Sequence, residues 1–200
     1  MIASKQRKIL WWIIGGLAVV VAGLRIFQHS YRGQDRLPVL GVVPEFSFIT
    51  EAKDGFSRNN LLGKITIADF IFTTCAGPCP LMSGQMQQLQ KSFERQDHLQ
   101  FTSFSVDPEN DTPAVLAEYA QRFGAQHGKW FFLTGEKKAM YQLIIKGFHL
   151  AVESDEDTVL HSTKFVLVDL EGNIRGYYER EDEEAMKDLV NDATRLLQEL

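Results

Sequence analysis

Cysteine is nearly absent from this chain. Among 200 residues only Cys75 and Cys79 occur, both inside FIFTTCAGPCPLMSGQM, residues 70–86. Neither sulfur can pair with any residue but the other. Proline is missing beyond Pro113, which excludes a cis X–Pro bond anywhere in the C-terminal part. Basic residues are scarce in the body. Residues 1–36 carry six (Lys5, Arg7, Lys8, Arg25, Arg32, Arg36) against Asp35 alone. Of the 21 basic and 26 acidic residues in all, this leaves fifteen and twenty-five for the rest, a net charge of -10. Such a body excludes nucleic acid as a partner, because phosphate binding needs clustered Lys and Arg. Internal repeats and low-complexity tracts are absent as well. The length suits one domain plus an appendage, and 44% hydrophobic against 24% charged residues is an ordinary globular balance.

The appendage is N-terminal. ILWWIIGGLAVVVAGL, Ile9 to Leu24, is an uninterrupted apolar run of sixteen residues. With Arg25 snorkelling it extends through Phe27 and reaches the length of about 20 residues that a spanning helix needs. Trp11 and Trp12 sit where an interfacial aromatic belt belongs. Val21-Ala22-Gly23 is a poor cleavage site, so the reading is an uncleaved anchor over 9–27 behind a basic tail, 1–8. Positive charge is nearly balanced across the span. A signal anchor with a short basic tail leaves its large domain on the non-cytoplasmic side, periplasmic or extracytoplasmic. Cysteines that can pair only with each other suit an oxidising compartment.

Residues 28–43 read as a polar tether, and 44–200 as the folded domain. PEFSFITEAKDGFSRNNLLGK predicts a hairpin around Asp54-Gly55. ITIADFIF, 65–72, is β-branched and aromatic, the mark of a buried central strand. Met82, Met86, Leu89 and Phe93 predict a helix over 81–95. LQFTSFSV, 99–106, is a strand. DTPAVLAEYAQRFG is a helix with Thr112 as N-cap, Pro113 in its first turn and Gly124 as its stop. KWFFLT is a strand and 136–146 a helix. TKFVLVDLEGNIRGYY is a hairpin turning at Glu171-Gly172-Asn173. Met186, Leu189, Val190, Ala193 and Leu197 mark a closing amphipathic helix. Alternating strands and helices predict an α/β fold, and the terminal hairpin makes its helix-flanked central sheet mixed.

Cys75 and Cys79 fall at the C-terminal end of the first central strand, where open α/β sheets build their sites. Pro78 and Pro80 favour a helix start, and the field of a helix N-terminus lowers a thiol pKa. With Cys75 on the last loop turn and Cys79 on the first helical turn, both sulfurs face one side. Two adjacent thiolates suit Cu(I), Zn(II) or a reversible disulfide. A purely stabilising disulfide would close too small a loop to remove much unfolded-state entropy. A metal needs a further ligand. His29 lies beside the apolar run, His98 and His127 in polar turns, and His149 in GFHLAV. His161, just ahead of a β-branched strand, would reach the cysteine end of the sheet. It is either a ligand or a capping or packing residue.

FTTCAGPCPLM, SVDPENDTPAVLAEYAQRFG and LHSTKFVLVDLEGNIRGYY together resemble the Sco/SenC family from about Pro44 to the C-terminus. These are membrane-anchored, thioredoxin-like proteins that deliver copper to cytochrome c oxidase. The resemblance implies a thioredoxin-like fold, copper as Cu(I) or Cu(II), and Cys75, Cys79 and His161 as its ligands. It implies an oxidase subunit or another copper chaperone as partner. It also places Asp107, in the Val-Asp-Pro turn, near the site; on its own, Asp-Pro marks a turn or cap residue. Many family members carry Pro-Asp after the first cysteine. This chain has Ala76-Gly77-Pro78, which bears on Cu(II) affinity and partner choice.

The alternative is an enzyme, a thiol-disulfide oxidoreductase in which Cys75 attacks and Cys79 resolves, keeping the cysteines of an oxidase copper site reduced. Enzymes resembling thioredoxin place a cis-proline ahead of the hairpin strand, where this chain has His161. They also use a Cys-x-x-Cys spacing. A peroxiredoxin-type peroxidase lacks its upstream proline here, and a structural zinc site lacks a fourth ligand beyond Asp107. A metallochaperone therefore accounts for the residues better than an enzyme.

Overall fold

The computed structural model describes Ile14, residues 36–150 and residues 162–200. The apolar run of 9–27, Ile14 apart, and His161 lie outside the described residues, and among the described ones no helix is long and apolar enough to cross a membrane. The folded unit spans Pro38–Leu200.

Eight strands form one sheet: β1 (Gly41–Val42), β2 (Ser47–Thr50), β3 (Gly55–Ser57), β4 (Ile65–Ile71), β5 (Leu99–Ser105), β6 (Trp130–Thr134), β7 (Lys164–Val168) and β8 (Asn173–Glu179). The spatial order is β1-β8-β7-β4-β5-β6-β2-β3. β4, β5 and β6 are parallel, and every other neighbour is antiparallel. The mixed α/β sheet expected from the strand-helix alternation is therefore present. The hairpin at Asp54-Gly55 is also present, pairing Phe48 with Phe56. Parallel strands buried on both faces need no alternation of polarity. Accordingly all seven residues of β4 and all seven of β5 are buried.

The sheet starts inside the stretch that reads as a tether. Gly41 and Val42 pair with β8, and the Val43 side chain is fully buried. Helix α1 (Pro78–Ser92) begins three residues before the predicted start, because proline fits a first helical turn whose N–H groups have no partner. Helix α2 (Pro113–Arg122) is capped as expected: the Thr112 side chain accepts from the Val115 N–H, and Gly124 ends it at φ 63°. The helix expected over 136–146 is α3 (Lys137–Gln142) running into a π-helical turn, Leu143–Gly147. Helix α4 (Glu183–Gln198) buries Leu189, Ala193 and Leu196, so Leu196 faces inward more than the expected Leu197.

One core layer packs Ala68, Phe70, Phe104 and Val166 against Met140, Leu143, Ile144 and Phe148 of the α3 region. The alternate residues of β4 (Ile67, Asp69 and Ile71) point to the opposite face, over which α1 and α2 lie. There Trp130 stacks on Phe132, and Tyr119 of α2 meets Phe132 edge-on.

Candidate metal centre

β4 ends at Ile71, and α1 begins at Pro78. The six residues between them carry Cys75, while Cys79 is the second residue of α1. The Cys75 N–H donates to the Phe72 carbonyl at 3.2 Å, which makes a tight turn. The Gly77 N–H donates to the Cys75 sulfur at 3.4 Å. Both cysteines are free thiols, 8% and 2% exposed, and they lie within hydrogen-bonding reach of each other. One sulfur from the loop and one from the first helical turn thus meet on one side, as the spacing predicts.

The electrostatics at Cys79 correct the sequence reading. Burial pushes its thiol up to about 12, against a hydrogen bond with the Phe72 backbone that favours the thiolate. Cys75 and the Asp69 carboxyl add to the rise. Desolvation outweighs the helix N-terminal field, which carries only about half an elementary charge. Burial thus favours the neutral thiol at Cys79 over the thiolate.

Asp107 has the turn role its own sequence suggests. Its carbonyl accepts from the Asn110 and Asp111 N–H groups at 3.1 and 2.9 Å. Its side chain accepts from Asn110 Nδ2 at 2.8 Å. His98 and His127 are exposed on turns, as expected. His149 is exposed in a left-handed conformation, φ 51°, with its ring beside Gly41 at the sheet edge. Among the described residues no three of His, Cys, Asp and Glu gather closely enough to hold a metal.

Two carboxyls near the cysteines escaped the sequence reading. Asp69, six residues before Cys75, is fully buried, and neither of its oxygens has a hydrogen-bond partner among the described residues at standard geometry. Ser103 is its register partner on β5, and a longer contact to that hydroxyl offsets part of the burial cost. Burial lifts Asp69 from 3.8 to about 7. The signal was a lone acid inside a run of buried-strand residues. Asp111 is also fully buried, and its carboxyl accepts from Thr73 and Ser105. Standing before the Thr112 cap, it reads in sequence as one more turn residue.

Comparison with known proteins places the chain in a family. The SCO1/SenC family model matches residues 35–198. The chain is 33% identical over 154 residues to a SCO1 protein homolog of Bacillus subtilis, covering 75% of this chain and 80% of the relative. The solved structure of BsSco, described as a member of the Sco family of cytochrome c oxidase assembly proteins with a disulfide switch, superposes with a TM-score of 0.71 at 31% identity, covering 82% of this chain and 98% of that one. Arabidopsis thaliana ScoI, solved with copper bound, gives 0.64 at 25% identity, covering 78% and 99%.

Proposed function

Because the chain belongs to the SCO1/SenC family, we propose that it is a copper-binding assembly factor that delivers copper, as its cargo, to cytochrome c oxidase. The observation that carries the reading is the pair of adjacent free thiols at the end of β4. Two soft sulfur donors select Cu(I) over hard cations. The third donor we assign to His161. Copper bound to the Arabidopsis thaliana relative supports the cargo assignment. Asp107 we place beside the site, not on the metal, since its carbonyl and side chain are engaged within its own turn.

Each thiol must release a proton as it becomes a ligand. Cys79 holds its proton more firmly than an ordinary thiol, so loading is favoured by rising pH and by a partner that accepts the proton. We assign residues 9–27 to a membrane anchor that leaves the domain on the non-cytoplasmic side. A C-terminal reporter active only outside the cytoplasm tests this, and activity inside would reverse the orientation.

A second reading rests on the same contact. Thiols within hydrogen-bonding reach can close to a disulfide. In closing, the pair would reduce a partner disulfide and pass it two electrons and two protons, with Cys75 attacking to form a mixed disulfide and Cys79 resolving it. An anaerobic Cu(I) titration against a competing chelator separates the readings. One-to-one binding, much weakened by His161→Ala and by Cys75→Ser, is expected. Binding indifferent to His161 would sink the three-ligand site and leave the redox reading in its place.

A further inference from the structure

We propose that Asp111 is the positioning residue of the cysteine site: its carboxyl clamps the Cys75 loop to the turn that carries Asp107. The inference rests on the reading of Cys75 and Cys79 as the metal-binding pair. It adds a residue that touches neither sulfur.

The contacts are specific. The Thr73 N–H reaches both Asp111 oxygens at 3.2 Å, and the Thr73 hydroxyl donates to Oδ1. The Ser105 hydroxyl donates to Oδ2 at 2.6 Å. Ser105 Oγ in turn accepts from the Asp107 N–H at 3.1 Å. The Asp111 N–H donates to the Asp107 carbonyl at 2.9 Å. One side chain therefore ties the end of β4 to both sides of the turn after β5.

A helix-capping or turn-forming acid has no need of this reach. The cap of α2 is Thr112, and the turn is closed by backbone bonds. Thr73 lies 38 residues away in sequence, two residues before Cys75. Among the described residues no Lys, Arg or His forms an ion pair with Asp111, although it is fully buried. Burying a polar group without partners is costly, so its bonds to Thr73 and Ser105 are what make the position tolerable. The Phe72–Cys75 turn is tight, so the placement of Thr73 sets the placement of the Cys75 sulfur. A loop held in place before metal arrives loses less entropy on binding.

The test uses the full chain, reduced, with two readouts. The first is the rate of Cys75 alkylation by iodoacetamide, read by peptide mass. The second is Cu(I) affinity by chelator competition. Asp111→Asn keeps the volume but replaces one acceptor oxygen by a donor. It should raise Cys75 alkylation severalfold and weaken Cu(I) binding by about tenfold or more, the size expected when a group that orients a ligand is lost. Thr73→Val should act alike, Thr73→Ser should behave as wild type, and the double variant Thr73→Val/Asp111→Asn should add little to either single change. Should Asp111→Asn fail to fold, the Thr73→Val and Thr73→Ser pair decides. Wild-type alkylation and affinity in Thr73→Val, whatever its melting temperature, would overturn the proposal and leave the cluster a fold-holding contact. Alkylation needs no metal. If the wild-type chain binds no Cu(I), the copper reading falls while the alkylation rates still decide the role of Asp111.

Discussion

Asp69 occupies a position that folding alone would give to valine. Its neighbours in β4 are Ile67, Ala68, Phe70 and Ile71, all buried. The carboxyl is lifted from 3.8 to about 7, first by burial, with the Ser103 hydroxyl and its own backbone pulling the other way. The folded state therefore holds a proton that the unfolded state releases near pH 4. Its stability contribution is complete below that point and is lost as pH rises through about 7. A gap of about three pH units corresponds to about 4 kcal/mol. The prediction is that urea unfolding shows stability falling between about pH 4 and 7 and levelling off above that. Asp69→Asn should flatten that slope and be the more stable protein at pH 8. An unchanged slope in Asp69→Asn would mean that another group titrates. At this scale Cys79 and Asp69 share one cause: burial favours the neutral form of both acids.

At the scale of elements, the π-helical turn Leu143–Gly147 is the least regular piece. Gly147 is required there by contact. A Cβ would meet Leu143 Cδ1 and Pro44 Cδ at 2.8 Å, and the proline ring cannot turn aside. Gly147→Ala should cost about 1–3 kcal/mol in chemical denaturation, the range of an overpacked core. A cost near zero would show that Pro44 yields. This turn was not legible in the sequence. LIIKG has the apolar spacing of an ordinary α-helix, and nothing local in it marks a wider turn; its packing against Pro44 and the core appears only in the fold. β1 was missed as well, because two residues inside a stretch read as tether carry no strand pattern and only their pairing with β8 makes them a strand. Most other elements were legible because their signals are local. Thr112 and Gly124 bound α2, and Asp54-Gly55 turns the first hairpin. The start of α1 slipped because Pro78 and Pro80 fit either a loop or a first helical turn. The same division runs through the site. Cys75 and Cys79 declare themselves by spacing along one stretch. The tie of Asp111 to Thr73 joins segments 38 residues apart, and only the parallel pairing of β4 with β5 brings it about.

At the scale of the whole molecule, the site hangs from the centre of the sheet. β4 has three strands on one side, beginning with β7, and four on the other, beginning with β5. Thr73 and Cys75 continue directly from its end. A ligand that fixes this loop is therefore coupled to global unfolding, not to fraying of an edge. A cation that binds only the folded state stabilises it by about 2.7 kcal/mol at a hundredfold excess over its dissociation constant. For a domain of this size each kcal/mol moves the melting temperature by about 2–4 °C. Cu(I) added anaerobically to the reduced chain should thus raise the melting temperature by about 5–10 °C, and a strong chelator should reverse the rise. The rise should grow from pH 6 to pH 8, because protons compete with the metal for the thiols and Cys79 holds its proton up to about 12. Cys75→Ser should abolish it. A rise that persists in Cys75→Ser would place the bound metal elsewhere, and one that shrinks with pH would mean that proton release from the thiols is not part of loading.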